Sequence, residues 1–561
     1  MGTGSLVQRA YNSFRGVDFR GNEVNLVRSP DSLNVWKDYK EIDSIRTRPK
    51  LERFLPLVTP VWGVFFYDIG NRKIMLIHSG TKLYQYENDT MTVLCEGLNP
   101  RRSQAFVYNN IWYFKDGLNY LRYDGVDIAD VEGYVPTTSI GRKPAGGGST
   151  YEDVNMLTGM RINTFLADGE STEFCLDAQE LDVDFIPVVK VNDEIVGNYE
   201  LEFITGKVKF AVPPPVPLTD GQDNVSVKFK KTVSGYRERI ERCTMLEVFD
   251  NRVFFSGNQD YPNAVWHCSL DDPEYCSDLD YYCEGLDLAK VTGLVADNNA
   301  LWVFKEPSQA NTAVFYHNPV LDEKYGKVYP STHSSISTGC IGGAINFNDD
   351  IVFFSDRGME AKSGDITTEQ AIAHRSVLVD RKLLNEEEYS NMILQEWEGY
   401  LLVITGSHCY LADSRAMLPN ENHYEYEWFY WEFDKKITCA AVKDGVLVLG
   451  SEDGVYTLTD TEGELESYWT TPLDKFSHPQ YQKTTNKRGC TVEATGDIEV
   501  YVKTEKTEWK QVGIFKNVMD YFVARIKEKK FKDIQLKFCS NTRFSLENAT
   551  LEAFVGGYIK R

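Results

Sequence analysis

The sequence predicts an all-β protein: a β-propeller of about seven blades, with an inserted immunoglobulin-like β-sandwich and a small C-terminal β-sandwich. Two observations predict this class. Aromatic residues make up 13% of the 561 residues, and the abundance of Val, Thr, Tyr and Phe favours strands over helices. One hairpin pattern recurs along the chain, and its copies are mostly spaced by roughly 40–50 residues, the length of a propeller blade. Six or eight blades remain compatible with the pattern, because N- and C-terminal strands can share one blade.

The repeating unit is an apolar strand, a two-residue turn and a more strongly apolar strand. Asn, Asp and Gly tolerate the positive φ that tight hairpin turns require. Most copies continue into a second short hairpin, so each unit has about four strands, as in a propeller blade. The seven turns are predicted at Gly70-Asn71, Asn109-Asn110, Asp250-Asn251, Asn298-Asn299, Asp349-Asp350, Glu398-Gly399 and Asp444-Gly445.

A long gap between the second and third copies predicts an inserted domain. Asn109 and Asp250 are 141 residues apart, which exceeds one blade by about 95 residues. A Gly-rich linker, Lys143–Thr150, opens the extra segment, and alternating strands follow it with hairpins around Asn192-Asp193 and Thr205-Gly206. We therefore assign residues 140–236 to an immunoglobulin-like β-sandwich, a kind of insertion that commonly carries partner contacts.

The remaining boundaries follow from these assignments. Blades are predicted in residues 59–139 and 237–467, and residues 1–58 form an extended segment that joins the propeller. Beyond Tyr468 the pattern changes to strands that alternate with period two, such as Asp497–Lys503 and Phe531–Phe538. Residues 468–561 are therefore predicted to form the second small β-sandwich.

The charge of the chain restricts its partners. The formal net charge is −23, and this excludes proteins held to DNA by a net basic surface. No run approaches the ~18 apolar residues of a membrane helix, so we expect no membrane insertion. No secretory signal is recognisable, and eleven scattered cysteines without a C-x-x-C pattern predict free thiols in a reducing cytosol.

No motif in the sequence carries catalytic chemistry. The eight histidines form neither H-x-H nor H-E-x-x-H, and G-x-S-x-G, P-loop and G-x-G-x-x-G patterns do not occur. The sequence therefore assigns no catalytic, cofactor-binding or metal-binding residue, and it predicts a protein that is not an enzyme.

Four segments allow a functional and a structural interpretation, and the structural one is favoured for each. Ser451–Tyr456 faintly resembles a sialidase Asp-box but fits a turn. Asp124–Asp130 could bind calcium or form an acidic turn. Arg525–Lys537 could contact phosphate or form the solvated face of a strand. The aromatic cluster His423–Phe433 could stack on sugars or bases, or form an outer blade strand.

Several phrases resemble phage tail β-propeller proteins, namely the packaged-DNA stabilization proteins and tail nozzle (tail tubular protein B) proteins of short-tailed phages. At the head of the chain these are Phe14-Arg-Gly-Val-Asp18, Ser29–Val35 and Ile45–Leu51, where Lys50 replaces the usual Gly. Further phrases are Asn251–Tyr275, Asn299–Lys305 and Tyr468–Phe476.

This resemblance implies a structural virion protein of the tail, assembled in the host bacterial cytoplasm. Such proteins form a ring, usually of six copies, beneath the portal and adaptor proteins. The ring extends the DNA channel, helps to retain the packaged genome, and docks fibres or a tail tip. Double-stranded DNA would pass without specific binding, since acidic walls repel phosphates.

Two other functions remain open. A propeller glycosidase or polysaccharide lyase, or a glycan-binding tail protein, would use acids or aromatic rings in a funnel. A scaffold of the WD-repeat type is disfavoured, because no Gly-His…Trp-Asp repeat occurs.

Overall fold

A computed structural model describes residues 5–39, 44–310, 312–323, 326–362, 372–415 and 426–558. Strands dominate these residues, and we number them in chain order. The first group is β1 (Ser5–Tyr11), β2 (Ser32–Leu33), β3 (Val35–Trp36), β4 (Ile45–Thr47), β5 (Lys50–Pro56), β6 (Val61–Ile69), β7 (Arg72–Ser79), β8 (Lys82–Glu87), β9 (Thr90–Glu96), β10 (Gln104–Tyr108), β11 (Ile111–Lys115), β12 (Tyr120–Tyr123) and β13 (Ile128–Asp130).

The second group lies between the second and fourth repeats and contains the longest helix described, α1 (Tyr236–Glu241). Its strands are β14 (Thr137–Arg142), β15 (Ser149–Thr150), β16 (Met160–Phe165), β17 (Glu173–Cys175), β18 (Val188–Val191), β19 (Glu194–Ile195), β20 (Tyr199–Glu202), β21 (Lys207–Phe210), β22 (Val225–Lys230), β23 (Met245–Phe249), β24 (Arg252–Ser256), β25 (Ala264–His267) and β26 (Tyr281–Cys283).

The third group completes the repeats. It consists of β27 (Val291–Ala296), β28 (Leu301–Lys305), β29 (Val314–His317), β30 (Val320–Asp322), β31 (Gly326–Val328), β32 (Ser331–His333), β33 (Ala344–Phe347), β34 (Asp350–Ser355), β35 (Gly358–Lys362), β36 (Ile372–His374), α2 (Asp380–Leu383), a 3-10 turn (Tyr389–Asn391), β37 (Ile393–Trp397), β38 (Tyr400–Thr405), β39 (His408–Asp413), β40 (Glu427–Glu432), β41 (Ile437–Lys443), β42 (Val446–Ser451) and β43 (Gly454–Thr459).

The last group ends the chain. It consists of β44 (Ser467–Thr470), β45 (Tyr481–Thr504), β46 (Thr507–Val518), β47 (Tyr521–Ala524), β48 (Lys529–Phe531), β49 (Ile534–Ser540) and β50 (Phe544–Tyr558).

Seven four-stranded sheets account for the seven repeats, and the protein has the β-propeller fold class that the sequence predicts. Their strand orders are β6-β7-β8-β9, β10-β11-β12-β13, β23-β24-β25-β26, β27-β28-β29-β32, β33-β34-β35-β36, β37-β38-β39-β40 and β41-β42-β43-β5. In the last sheet the fourth strand comes from the N-terminal part of the chain. This sharing of one sheet by distant strands is what left the blade count open at the level of the sequence.

The middle of the second strand of each repeat is apolar because both of its faces are buried. Leu301–Lys305 and Tyr400–Thr405 are buried at every position. Strands covered on both sides lose the polar–apolar alternation of half-exposed strands. The stronger apolar strand of the repeat therefore marks the middle of each sheet.

The chain divides into two compact units, one of residues 1–66, 77–80 and 338–561 and the other of residues 67–76 and 81–337. Each unit has its own apolar clusters, in which neighbouring sheets pack face to face. In the first unit Phe354 of β34 shares a cluster with Val403 of β38. In the second unit Phe254 of β24 shares a cluster with Val303 of β28.

Most predicted turns have the expected backbone conformation. Both residues adopt positive φ at Asn109-Asn110, Asp250-Asn251, Glu398-Gly399 and Asp444-Gly445. The fifth turn lies one residue earlier than predicted, at Asn348-Asp349, because Asp350 already begins β34.

The fourth turn is longer than the two residues predicted at Asn298-Asn299. The Asp297 carboxylate accepts hydrogen bonds from the backbone N–H groups of Asn299 and Ala300, both at 2.7 Å. This aspartate turn spans residues 297–300 between β27 and β28, and the side-chain bonds of Asp297 replace the positive φ of a tight turn.

The insertion consists of two sheets around one core. A six-stranded sheet has the order β15-β14-β16-β22-β18-β19, and a three-stranded sheet has the order β17-β21-β20. Phe165 and Val227 from the first sheet share a buried cluster with Phe174 and Val208 from the second. Strand β14 pairs in parallel with β16, an arrangement that the alternating pattern did not indicate.

The C-terminal strands form one large sheet together with N-terminal strands. The sheet has eleven strands, with the path β2-β44-β49-β45-β50-β4-β3, and β1, β46, β47 and β48 lie off this path. The sequence predicts a small β-sandwich in residues 468–561 and an extended segment that joins the propeller in residues 1–58, whereas β1 to β4 of that segment lie in the C-terminal sheet. The difference arises because β2, β3 and β4 have only two or three residues, too few to show a period.

Candidate functional site

The N-terminal head, which we define as residues 14–39 and 44–48, contains the first two opening phrases of the resemblance and the first four residues of the third. It lies against β40 and β44, within the first compact unit. These contacts make the head the candidate functional site.

The head covers the outer edge of strand β40. An outer strand exposes unpaired backbone groups on one side, and these must find partners. The Trp428 carbonyl accepts a hydrogen bond from the Val17 N–H at 2.6 Å, and the Tyr430 carbonyl accepts one from the Asn34 N–H at 3.0 Å. The Glu432 N–H donates to the Asn34 side-chain oxygen at 2.9 Å. Short irregular segments of the head thus replace a fifth strand.

Gly16 allows the close approach of the head to β40. Its φ is +75°, and a Cβ at this position would lie 2.0 Å from the Trp428 carbonyl oxygen. A side chain is therefore excluded by both the backbone conformation and the neighbouring backbone. This is the structural reason for the glycine in the phrase Phe14-Arg-Gly-Val-Asp18.

Arg48 is one of the buried cations of the head. Its guanidinium donates to the Asn34 side-chain oxygen at 2.9 Å, to the Pro49 carbonyl at 2.8 Å and to the Glu432 carbonyl at 2.7 Å. It also lies 4.9 Å from the centre of the Phe433 ring. Burial lowers the pKa of Arg48 to about 10. The three acceptors are bound by three different nitrogens of the guanidinium, a spread of donors that the single nitrogen of lysine does not reproduce.

The other side of the head is bound to β44. Ser32 and Leu33 pair with Trp469 and Tyr468 of that strand. The Ser29 hydroxyl donates to the Thr470 carbonyl at 2.8 Å. The head therefore connects an outer propeller strand to the large C-terminal sheet by bonds from both of its sides.

A cavity of about 800 Å³ opens beside the head and is lined by residues of the segment 15–28. Its charged lining consists of three arginines and two acids. The Asp18 carboxylate forms an ion pair with the Arg20 guanidinium at 2.8 Å. The lining residues are Arg15, Asp18, Arg20, Gly21, Asn22, Glu23, Val24, Asn25, Val27 and Arg28.

Glu427, the first residue of β40, lies beside this segment. Its carboxylate is 3.6 Å from the Arg15 guanidinium. Burial raises the pKa of Glu427, while Arg28 and Arg15 oppose this shift. The arginines of the head thus compensate a buried carboxylate, in addition to lining the cavity.

The aromatic cluster around β40 is part of the core. Trp428, Phe429, Tyr430 and Trp431 are each at most 1% exposed, so these rings cannot stack on a sugar or a base. Residues 423–425 of the predicted cluster lie outside the described residues.

The two acidic motifs are turns, as favoured. The Asp124 carboxylate accepts hydrogen bonds from the backbone N–H groups of Val126 and Asp127, both at 2.8 Å, and these bonds lower its pKa. Asp453 lies in the turn between β42 and β43, where its carboxylate accepts a hydrogen bond from the Tyr456 hydroxyl at 2.7 Å. Both carboxylates are therefore engaged in local structure.

The described part of the chain contains neither a metal-binding cluster nor a membrane-spanning helix. Within it, no three His, Cys, Asp or Glu side chains come close enough together to hold a metal ion. No helix there has the length and apolar character needed to cross a membrane. All eleven cysteines are free thiols, and burial raises the pKa of Cys243 to about 12.

A buried polar cluster in the fourth repeat was not predicted. Glu284 and His317 are both fully buried, and their side chains lie 2.8 Å apart. Glu284 also accepts a hydrogen bond from the Ser331 hydroxyl at 2.5 Å, and the other imidazole nitrogen of His317 lies 2.8 Å from the Tyr329 carbonyl. Oxygen atoms thus face both ring nitrogens of His317. No spacing in the sequence indicates this cluster.

A buried polar residue at the end of the second strand is a further feature that was not predicted, although it recurs in every repeat. The last residue of every second strand is polar and at most 3% exposed. Several of these side chains bond to backbone carbonyls; the Ser256 hydroxyl, for example, donates to the Ala264 carbonyl at 2.7 Å. Alignment of the seven hairpins would have revealed this position. The residues are Ser79, Lys115, Ser256, Lys305, Ser355, Thr405 and Ser451.

Lys115 shows what this position can do. Its ammonium group is buried and donates to the carbonyls of Ile240 and Glu241, at 2.6 and 3.1 Å, at the end of α1. Burial lowers the pKa of Lys115 to about 8. The carbonyl end of a helix carries partial negative charge, which suits a cation.

His374 provides a pH-dependent contribution to stability. Its two ring nitrogens lie 3.2 Å from Glu360 and 2.6 Å from Asp380, and these carboxylates raise the pKa of His374 to about 9. Because the pKa of His374 is higher in the folded state, its protonated form stabilises the fold. This stabilisation is fully present below the unfolded-state pKa of about 6.5 and is lost as the pH rises through about 9. The contribution at low pH is about 3 kcal/mol.

We expect His374→Gln to lower the free energy of unfolding at pH 6 and to have little effect at pH 9.5. Denaturant titrations of both proteins across this range measure the difference. His333→Gln, which changes an exposed histidine, is the control. Parallel pH profiles for wild type and His374→Gln would contradict the assignment.

No protein-family model and no curated protein matches the chain. Among solved structures, the chain is similar to BamB from Moraxella catarrhalis, with 10% identity, a TM-score of 0.33, and coverage of 73% of this chain and 97% of that one. It is also similar to Hsv2 from Kluyveromyces lactis, with 9% identity, a TM-score of 0.26, and coverage of 66% and 97%.

Proposed function

We propose that the protein is a structural component of a short-tailed phage tail, without enzymatic activity. Copies of the chain form a ring below the portal and adaptor proteins. The ring extends the DNA channel, helps to retain the packaged DNA, and offers docking sites for fibres or a tail tip.

One observation carries this proposal. The three head phrases that resemble the tail nozzle proteins supply the side chains and backbone groups that hold the head in place. Gly16 permits the contact with Trp428, Asn34 bridges to β40, and Arg48 binds three acceptors. One local structure thus uses residues from all three phrases. This supports the resemblance more strongly than the similarity of short sequence segments alone.

Two further observations support a structural role. Glu284, His317 and Ser331 are residue types found in catalytic sites. Here their side chains are hydrogen-bonded to one another, and Glu284 and His317 are fully buried, so the group stabilises its sheet. The net charge of −23 also suits a passage for DNA, because like charge opposes adhesion of phosphates. Ring closure would use head-to-tail contacts between copies, each burying roughly 1,000 Å² or more.

Assembly with neighbouring tail components tests the proposal. The chain is expressed alone and together with the portal and adaptor proteins of its phage, and particle mass and shape are measured by mass photometry and negative-stain microscopy. We expect rings, six copies each, when portal and adaptor are present. A chain that stays monomeric with both components and degrades a host polysaccharide would refute the proposal and support the glycosidase or lyase.

A further inference from the structure

The C-terminal part of the chain is basic within an acidic protein. Residues 468–561 contain 17 Lys and Arg against 11 Asp and Glu, a net charge of +6 in a chain of −23. The remainder of the chain therefore carries a net charge of −29. This asymmetry concentrates the attraction for anions on the large C-terminal sheet.

The structure brings two basic segments of this sheet together. Residues 484–490 of β45 run beside residues 524–529, with Thr484 paired to Lys529 and Cys490 paired to Ala524. The Thr485 hydroxyl fastens the two segments between these pairs, donating to the Ile526 carbonyl at 2.7 Å. Cations that are about forty residues apart in the chain thus become neighbours.

Five exposed cations form what we call the basic patch: Lys487, Arg488, Arg525, Lys527 and Lys529. Ile526, between two of them, is 1% exposed and anchors the segment inward. Residues 525–528 connect β47 and β48 and are not part of a strand, so only part of the run 525–537 lies on strands as the sequence predicts. The tertiary contact adds Lys487 and Arg488 to the basic patch, which the run of residues 525–537 alone did not show.

Two acids lie near the basic patch. Glu528 lies 3.5 Å from Lys510. Glu552 accepts hydrogen bonds from Asn486 and Gln8, and these bonds, together with the charge of Arg488, lower the pKa of Glu552. In the described part of the chain, none of the five cations of the basic patch lies within ion-pair distance of a carboxylate. Their charge is available to an external anion.

We propose that the basic patch binds the phosphate backbone of double-stranded DNA without regard to sequence. Duplex DNA carries one negative charge per about 1.7 Å of its axis, so it can present several phosphates to the patch at once. An acidic surface of a second copy is a weaker partner, because acids such as Glu173 and Asp184 already have lysine partners. The choice of DNA as the polyanion rests on the proposed function, whereas the anion chemistry of the patch does not.

The affinity and its salt dependence follow from the number of cations. Non-specific binding of this kind has a dissociation constant of about 10⁻⁴ to 10⁻⁶ M at physiological salt, and each neutralised phosphate contributes a slope of about −0.9 in log K against log salt. We expect a slope of about −4 for the basic patch. The patch gives local attraction, while the acidic remainder of the chain keeps the binding weak.

Fluorescence anisotropy with a labelled duplex of mixed sequence, at several NaCl concentrations, tests the proposal. The variant K487Q/R488Q/K527Q/K529Q should bind the duplex at least tenfold more weakly than wild type in low salt, with a slope of about −1 because Arg525 remains. The control variant K207Q/K209Q/K230Q/K231Q removes the same charge from lysines that are ion-paired in the inserted domain. The control should bind the duplex as wild type does.

Several outcomes would overturn the proposal: a wild type that does not bind the duplex, equal losses in both variants, or binding to anionic vesicles or to itself but not to DNA. Ring assembly with portal and adaptor is measured on the same samples, so a failure of the proposed function can be distinguished from a failure of the DNA-binding proposal. Rings without DNA binding would refute the basic patch alone. DNA binding without rings would refute the proposed function and leave the patch as a phosphate-binding surface.

Discussion

Arg48→Met is expected to release the head from β40. The substitution keeps most of the side-chain volume but leaves the partly buried carbonyls of Pro49 and Glu432 without their donor. A fully buried polar group without a partner costs about 1–3 kcal/mol, so two partly buried ones should cost the head about 2 kcal/mol of stability. Hydrogen exchange of the Val17 and Asn34 amides, which bond to β40, should accelerate by about 30-fold or more.

Arg53→Met is the matched control for this prediction. Arg53 lies five residues further along the chain, its side chain is 52% exposed, and its guanidinium is 3.8 Å from Asp453. We expect no measurable effect, since exposed ion pairs contribute little. Equal exchange rates for the head amides in wild type and Arg48→Met would contradict a role of Arg48 in holding the head. Arg48→Lys should fall between the two, because lysine keeps the charge but carries its donors on one nitrogen and not on three.

Glu284→Leu is expected to have a comparable effect in the second compact unit. Removal of the carboxylate leaves the His317 ring nitrogen and the Ser331 hydroxyl buried without a partner. Breaking one side of such a fully buried pair costs about 3–5 kcal/mol. The midpoint of chemical denaturation, followed by the fluorescence of nearby tryptophans, should fall accordingly.

A double-mutant cycle distinguishes this pairing from a simple loss of volume. If the two side chains depend on each other, Glu284→Leu/His317→Leu should be less destabilised than the sum of the single variants. Glu306→Leu is the control, because Glu306 is 36% exposed and lies 3.5 Å from Lys290. Additive effects of the two single variants would show that the pair is not coupled.

The repeat could be recognised from the sequence because its signals are local. A turn such as Asp444-Gly445 requires positive φ, and only a few residue types accept it. The middle of the second strand of each hairpin is apolar because both of its faces are buried, and this shows in any single copy. The inserted domain was visible for the same reason, as a gap between two regular copies.

The candidate site could be predicted only in part. The head phrases were noted for their resemblance, but nothing in them indicated that Asn34 and Arg48 bind the backbone of a strand 384 residues or more away. The aromatic cluster at β40 allowed two interpretations until its rings were found buried. Likewise, the basic run 525–537 gave no sign of Lys487 and Arg488 beside it.

The sequence by itself determined the β-propeller class, the seven repeats and the position of the insertion, because these depend on turn chemistry and on the burial of individual strands. The tertiary structure decided which strands join distant sheets, with β5 completing the sheet of β43 and β1 to β4 entering the C-terminal sheet. It also decided which polar groups become buried partners, such as Glu284 and His317. Such pairings depend on the geometry of segments far apart in the chain, and short strands of two or three residues leave no periodic trace of them.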